Sequence, residues 1–269
     1  MKTVFITGAS HGIGKETAIL FAKKGWKVAA TTRNPEHLSL LADIKNLTAY
    51  LLDVKNRDSV KSCIKQVIQD FGKIDVIINN AGIFTTNPLE LTSDKTIDDI
   101  VETNIKGVFY TTKIILKHFR ENRSGTIVNI SSVAGRATFP FMSIYHASKW
   151  AIEGFSESLY YELKPLNIKV KIVEPGMVKT NLYSSVQDFP FEQYPNEYRI
   201  SFKKWHRFLI DRYENGYFPE FEAKTIYKAA NSNHSKLRYT TDLATKAILL
   251  LRLLLPLSLF QRIVRAVSA

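Results

Sequence analysis

Residues 3–16 read TVFITGASHGIGKE, and this stretch decides the fold of the chain. Its first five residues form an apolar, β-branched and aromatic run that is typical of a buried strand. Glycines at positions 8, 12 and 14 come next, and residues 13–24 then have helical spacing. A glycine-rich turn between a strand and a helix lets the backbone approach a pyrophosphate, which the helix dipole also favours. The stretch therefore predicts nucleotide binding, although such glycines can also be purely structural.

The chain alternates strands with helices as far as residue 180. Apolar β-type runs lie at 3–7, 27–31, 48–52, 75–79, 126–130 and 169–173. Segments with helical spacing lie between them, at 13–24, 35–44, 56–71, 96–120 and 145–164. This alternation predicts parallel strands joined by right-handed crossovers, and the apolar strands indicate helices on both faces. We expect an α/β fold, a single doubly wound Rossmann-type domain over residues 1–269.

The alternation stops after residue 180, where aromatic side chains accumulate. Residues 183–221 hold 12 of the 31 aromatic residues of the chain. We interpret residues 181–218 as an insertion that covers the active site as a lid. A helix near 219–231, a short strand at 237–240 and a C-terminal helix over 243–269 are predicted to come after it.

Composition excludes some classes of function. The formal net charge is +12, but the basic residues are scattered and no nucleic-acid-binding motif accompanies them, so we expect no nucleic-acid partner. The single cysteine, Cys63, cannot form a disulfide within the chain. The apolar run at the N-terminus is too short for a signal peptide. We therefore expect a cytoplasmic protein.

The C-terminal tail is strongly apolar and basic. Residues 247–260 read AILLLRLLLPLSLF, which is shorter than the roughly 20 residues of a membrane span. The tail can pack on the domain or on a second subunit. Alternatively, it can lie on an anionic membrane as an amphipathic helix, with Arg252, Arg262 and Arg265 facing the lipid headgroups.

A candidate catalytic group lies at Tyr145 and Lys149, in the stretch SIYHASKWAIEGF. Four residues apart on a helix, the two side chains share a face, and a nearby ammonium group lowers the pKa of a tyrosine hydroxyl. Taken alone, such a pair is much more often a packed ring beside a solvated lysine. Ser132 ends the predicted fifth strand, where open α/β sheets bind their ligands. Its hydroxyl and that of Tyr145 could converge on one carbonyl oxygen.

Together these motifs resemble the short-chain dehydrogenase/reductase family. The pattern TGxxxGxG is succeeded by NNAG at 79–82, Asn104 in TNIKG, Ser132, YxxxK at 145–149 and the dipeptide PG at 175–176. The resemblance covers residues 3–180, and several independent motifs stand in the family's order and spacing.

The resemblance implies a role for each catalytic candidate. Tyr145 would exchange a proton with the substrate oxygen, and Ser132 would hydrogen-bond that oxygen. Lys149 would lower the pKa of Tyr145 and bind the nicotinamide ribose. Asn104 would support a water chain that relays the proton. No metal is implied, and the histidines and cysteine show no ligand spacing.

The resemblance also implies a set of residues that contact the cofactor. They are Gly8, Ser10, His11, Gly12, Ile13, Gly14, Thr32, Arg33, Asp53, Val54, Asn80, Ala81, Gly82, Tyr145, Lys149, Pro175, Gly176, Val178 and Thr180.

The end of the second strand indicates which dinucleotide is bound. By the resemblance, the adenosine ribose lies there, and a carboxylate would repel a 2′-phosphate. This chain has Thr32 and Arg33 instead. A guanidinium forms paired hydrogen bonds to phosphate and stacks on adenine, so we expect NADP(H), with NADPH preferred over NADH.

The expected activity is the NADP(H)-dependent interconversion of a ketone or aldehyde and an alcohol. The aromatic insertion and the stretch ATFPFM before Tyr145 favour a lipophilic small-molecule substrate. Two alternatives stay open. The first is a non-catalytic dinucleotide-binding redox sensor or partner subunit, and the second is a sugar epimerase or dehydratase of the family's extended branch. Homodimers and homotetramers are common in the family, and we expect one here.

Overall fold

A single parallel sheet organises the protein. The computed structural model describes residues 1–186, 191 and 194–268. Within them the sheet has seven strands in the order β3-β2-β1-β4-β5-β6-β7, all paired in parallel. The strands, in chain order, are Thr3–Ile6, Lys27–Thr32, Leu47–Leu51, Val76–Asn79, Gly125–Ile130, Ile168–Glu174 and Arg238–Thr240. The strand order reverses between β1 and β4, which is where doubly wound sheets bind ligands.

Helices cover both faces of this sheet. In chain order, α1 to α9 are Gly12–Lys23, Arg57–Phe71, Asp94–Ile100, Gly107–Glu121, Ser143–Leu163, Asn196–Glu214, Pro219–Asn231, Leu243–Leu254 and Leu257–Ser268. Successive residues of β1 point to opposite faces: Val4 and Ile6 pack in one apolar layer with α1 and α7, while Phe5 packs in the other with α2, α4 and α5. Because both faces are covered, the strand is apolar throughout, and the predicted α/β fold is confirmed.

Two predicted helices differ from the structure near the site. The segment 35–44 is a short 3-10 helix, Pro35–Leu41, in which Asn34 caps the backbone N–H of Glu36. The predicted helix 96–120 is instead α3, a π-helical segment Val101–Lys106 and α4 in direct succession. Single π-helical turns within α-helices are frequent at functional sites, and this one carries Asn104.

The C-terminal segment 243–269 is also divided, which corrects the prediction of one helix. Pro256 separates α8 from α9, and the preceding Leu255 has an extended backbone (φ −88°, ψ 144°). Proline lacks the N–H that a continuous helix needs and disfavours helical geometry in the residue before it. Among the described residues, no helix combines the length and apolar character required to cross a bilayer.

The aromatic insertion packs against the domain through α6. Phe202, Trp205 and Leu209 are buried there in one apolar cluster that also contains Phe84 and Tyr145. The indole Nε1 of Trp205 donates to Thr86 Oγ1 at 2.9 Å. The predicted lid thus includes a helix anchored to the segment after β4, while its residues 187–190, 192 and 193 lie outside the described residues. Its role as a lid stays a prediction.

Candidate active site

The glycine turn after β1 is shaped by close backbone approach. Gly8 and Gly12 have positive φ angles, +64° and +53°, which glycine adopts without strain. A Cβ at Gly8 would lie 2.8 Å from the Cα of Ala81, and a Cβ at Gly14 would collide with the carbonyl oxygen of Gly8. Asn80 fastens the turn to the end of β4, since its Nδ2 donates to the carbonyl oxygens of Thr7 and Gly8 at 3.0 and 2.9 Å. Glycine at these positions therefore lets the turn pack closely against the residues that follow β4.

Three polar side chains lie together at the carboxyl end of β5 and the start of α5. Tyr145, Ser132 and Lys149 are all buried, and the hydroxyl of Ser132 lies near enough to that of Tyr145 to act on its pKa. The Oγ of Ser132 also accepts a hydrogen bond from the backbone N–H of Ala134 at 3.1 Å. Lys149 Nζ donates to the carbonyl oxygen of Ile130 at 2.9 Å and lies 5.7 Å from the centre of the Tyr145 ring. The predicted triad of Ser, Tyr and Lys thus lies together at one end of the site.

Burial shifts the pKa values of two members of this group. Burial raises the pKa of Tyr145 to about 12, and the nearby hydroxyl of Ser132 opposes this only in part. Burial lowers the pKa of Lys149 to about 8, against the attraction of Glu153. Lys149 is expected to lower the pKa of Tyr145 when its ammonium group is charged, and this stays a prediction. Lys149 is held by Ile130 rather than by the hydroxyl, and removal from water disfavours the phenolate.

Asn104 lies next to this triad, but not on the surface of the cavity. Its Nδ2 donates to the carbonyl oxygen of Ile83 at 2.9 Å and to Ser148 Oγ at 3.1 Å, while its Oδ1 accepts from the N–H of Ile83 at 2.9 Å. The side chain therefore clamps the segment after β4 onto α5. Its predicted part in a water relay stays a prediction.

One cavity of about 900 Å³ joins the glycine turn to the triad. All the predicted cofactor contacts line this cavity, and so does Ser132. Among the predicted site residues, Asn104 is the one that does not line it. Residues far apart in the chain meet here because parallel strands end at the same edge of the sheet.

The adenosine end of the cavity contains residues that the sequence reasoning missed. Thr32 and Arg33 line it as expected, as does Asp53, which comes just after β3. Asn34 and His37 line it as well. The rings of His11 and His37 lie 4.6 Å apart, edge to face. Burial, and then the nearby His37, lower the pKa of His11. No spacing rule would have placed these two histidines together, because the 3-10 turn that brings His37 back was predicted as a regular helix.

The triad end of the cavity has aromatic walls. The ring of Phe84 lies edge-on to Tyr145 with centres 4.8 Å apart, and the centre of the Tyr183 ring lies 4.6 Å from that of Phe84. Leu182 and Ile83 complete this wall. The sequence predicts an aromatic insertion over the site, but Phe84 and Tyr183 are not among the residues predicted to line the cavity.

Comparisons with known proteins agree with this geometry. The family model for short chain dehydrogenases matches residues 2–190. The 3-ketodihydrosphingosine reductase of Bacteroides thetaiotaomicron is 35% identical over 225 residues, covering 84% of this chain and 82% of that protein. The structure of ElxO with NADP bound superposes with a TM-score of 0.75 at 30% identity, covering 91% of this chain and 99% of the other.

A second solved structure differs in its bound dinucleotide. It is the 3-ketoacyl-(acyl-carrier-protein) reductase of Brucella melitensis complexed with NADH, with a TM-score of 0.75 at 26% identity, covering 90% of this chain and 96% of the other. The fold, the family match and the cavity together establish that the chain is an oxidoreductase belonging to the short-chain dehydrogenase/reductase family.

Proposed function

We propose that the protein is an NADP(H)-dependent enzyme that interconverts a ketone or aldehyde and the corresponding alcohol, and that its aromatic wall binds a lipophilic substrate. The observation that carries this proposal is the burial of Ser132, Tyr145 and Lys149 at one end of a cavity whose other end is the glycine turn. A dinucleotide lying along the cavity would reach from the turn to the triad.

The residues present fit a dinucleotide. Gly8, Gly12 and Gly14 line the cavity at the start of α1, and the N-terminus of that helix favours a pyrophosphate. We propose that Asp53 and Val54 flank the adenine, that Asn80 to Gly82 line the ribose side, and that Pro175 to Thr180 meet the nicotinamide. When bound, the nicotinamide ring supplies or accepts a hydride.

The preference for NADP(H) rests on the end of β2. Thr32 is buried in the cavity wall and Arg33 is exposed at its rim, with no carboxylate at either position. The guanidinium is free to approach a 2′-phosphate, and His11 and His37 lie on the same part of the cavity. Structural neighbours exist with NADP and with NADH, so the neighbours do not discriminate between the two dinucleotides. The preference for NADP(H) rests on the residues of this chain.

The proposed mechanism assigns a task to each side chain of the triad. With its pKa near 12, Tyr145 keeps its proton at neutral pH and can donate it to a carbonyl oxygen as negative charge develops there. The hydroxyl of Ser132 steadies the same oxygen by a hydrogen bond. The ammonium group of Lys149, when charged, favours the phenolate that Tyr145 leaves behind. In the reverse direction Tyr145 takes the proton back.

The aromatic wall indicates the nature of the substrate. Phe84, Tyr183 and Leu182 offer apolar surface beside the reacting hydroxyls. A ketone or aldehyde with an aliphatic chain would bury that chain against them. The similarity to a 3-ketodihydrosphingosine reductase, named for a long-chain ketone, supports the same class of substrate.

The test is NADPH oxidation over a panel of carbonyl compounds that differ in chain length. We expect turnover that rises with the length of the aliphatic chain, and loss of turnover in Tyr145→Phe. Turnover that is unaffected by Tyr145→Phe would overturn the mechanism. Tight NADPH binding without turnover of any compound would instead favour the non-catalytic sensor.

Two further properties belong to the proposal. We infer that the enzyme acts in the cytoplasm and that it is a homodimer or homotetramer, as is common in its family. Size-exclusion chromatography with light scattering tests the second point, and a mass of 30.7 kDa would show a monomer.

A further inference from the structure

Helix α8 turns a stripe of leucines toward solvent. Leu243, Leu250 and Leu254 lie within an arc of about 40° on the helix, and their side chains are 77%, 55% and 68% exposed. We name these three residues the leucine face. In α9, Ile263 and Val267 are also exposed, one turn apart. A helix of a globular protein ordinarily turns such a stripe inward, so the leucine face needs a partner.

The exposure of the leucine face is not due to a loosely packed helix. The opposite side of α8 is buried against the domain. Thr245 and Leu249 are buried there, and Leu249 packs with Val133, Ala137 and Phe260. Asp242 caps the helix, since its Oδ1 accepts the N–H of Thr245 at 2.8 Å. The anchored side fixes the orientation of the helix and holds the leucines outward.

The surroundings of the leucine face carry positive charge. Residues 243–269 include four basic residues and no acidic residue. Lys246, Arg262 and Arg265 are exposed, whereas Arg252 is turned inward, with its guanidinium 5.8 Å from the centre of the Phe260 ring. This corrects the expectation that Arg252 would face lipid headgroups, and it leaves three cations for the surface.

Charge decides between the partners that could cover this surface. In a dimer with a two-fold axis at this face, the cations of one copy would face the same cations of the other and repel them. Residues 243–269 contain no acidic residue that could offset this repulsion. An anionic lipid surface complements the cations and takes up the leucines. We propose that the leucine face docks the protein on an anionic lipid surface, in the interfacial plane.

The position of α8 gives this docking a consequence for the site. Val133, against which Leu249 packs, comes directly after Ser132 in the chain. The first turn of α8 packs directly on Gly176, since a Cβ on that glycine would collide with Thr245. Gly176 belongs to the segment that is predicted to meet the nicotinamide. A lipid surface at the leucine face therefore lies behind the substrate end of the cavity. The docking itself does not depend on the proposed reaction.

The experiment is flotation of the full chain with lipid vesicles. We compare two kinds of vesicle. One contains phosphatidylcholine with about 30% of the anionic lipid phosphatidylglycerol, and the other contains phosphatidylcholine alone. The variants are Leu250→Gln/Leu254→Gln for the leucines and Arg262→Gln/Arg265→Gln for the charge. The matched control is Leu51→Gln/Leu89→Gln, because these leucines are 52% and 54% exposed elsewhere on the protein.

We expect the wild type and the control to float with the anionic vesicles. The leucine variant should lose about a hundredfold in partitioning, because it removes two leucines and each buried leucine contributes about a factor of ten. The arginine variant should lose the preference for anionic over neutral vesicles. Circular dichroism checks that the variants are folded.

Two outcomes would overturn the docking. One is absence of the wild type from the floated fraction. The other is equal flotation of the leucine variant and the wild type. A leucine variant that turns a dimer into a monomer in sedimentation, with no lipid binding by the wild type, would assign the face to a second copy. None of these readouts requires turnover, so a failure here leaves the proposed reaction untouched.

Discussion

Lys149 donates a hydrogen bond from Nζ to the carbonyl oxygen of Ile130 at 2.9 Å, at the end of β5. This bond holds the ammonium group over the ring of Tyr145, 5.7 Å from its centre. Since both side chains are buried, each is pushed toward its neutral form: the pKa of the lysine falls to about 8 and that of the tyrosine rises to about 12. The protein therefore presents a protonated tyrosine beside a lysine that loses its charge in the alkaline range.

This relationship predicts how the reductase activity depends on pH. Below pH 8 Lys149 is charged and favours the phenolate that forms as Tyr145 gives up its proton, whereas above pH 8 it is neutral. We expect kcat/KM for carbonyl reduction to decline as the pH rises through about 8. Lys149→Arg, which stays charged, should move the decline to higher pH in any activity that it retains. The same decline in both proteins would assign it to another group.

Tyr145→Phe should abolish most of the reduction without affecting the fold. Loss of the general acid is expected to lower kcat by at least about a hundredfold. Tyr183→Phe is the matched control, because Tyr183 is buried in the same aromatic cluster and we assign it no proton transfer. Dinucleotide binding, monitored by NADPH fluorescence, should change little in either variant. Equal loss of turnover in both variants would point to packing of the wall instead of proton transfer.

Arg33→Asp, with Thr32 unchanged, should separate the two dinucleotides. The carboxylate repels a 2′-phosphate, so the Kd for NADPH should rise by about tenfold or more, while the Kd for NADH should change far less. Lys45→Asp makes the same change of charge at an exposed lysine outside the cavity. Fluorescence titration measures all three proteins. Equal weakening of both dinucleotides in Arg33→Asp would contradict the assignment to the 2′-phosphate.

Asn104→Ala should destabilise the protein as well as lower its activity. The substitution leaves the part-buried backbone groups of Ile83 without their partners, at a cost of up to about 1–3 kcal/mol for each group that stays unpaired. Urea unfolding at neutral pH measures this loss. Asn104→Asp retains the acceptor for the Ile83 N–H and should lose less stability. A variant that keeps its full stability but loses turnover would favour the water relay over the clamp.

The sheet and the order of the site were predictable because local patterns determine them. Each apolar run in residues 1–180 is long enough for one strand, and the glycine turn after Ile6 strongly favours the start of a helix at Gly12. Once the strands are parallel, their carboxyl ends meet, and Ser132, Asn80 and Gly8 come to one edge without further information.

The remaining features depend on contacts between distant segments. His37 reaches the cavity through a tight 3-10 turn, and Phe84 meets Tyr183 across almost a hundred residues of chain. The inward turn of Arg252 depends on the break at Pro256, which brings Phe260 back against it. The raised pKa of Tyr145 has the same origin, because burial is a property of the packed molecule and not of the helix spacing.

Glu222 of α7 gives a prediction about stability. Its side chain is fully buried, and burial together with the nearby charge of Asp242 raises its pKa from 4.5 to about 8. The unfolded chain releases this proton near pH 4.5, whereas the folded protein holds it to about pH 8. The free energy of unfolding should therefore fall as the pH rises from about 4.5 to about 8, by an amount on the order of a few kcal/mol, and then level off.

Glu222→Gln removes this titration while keeping the size of the side chain. The variant should match the wild type near pH 5 and have the higher Tm at pH 8, because glutamine never acquires the buried charge. Glu214→Gln, at the exposed end of α6, is the control and should leave the pH dependence as it is in the wild type. Thermal unfolding at several pH values measures the three proteins. If Glu222→Gln shows the same fall in Tm between pH 5 and pH 8 as the wild type, then another group causes the fall, and the pKa of Glu222 is not raised in the folded protein.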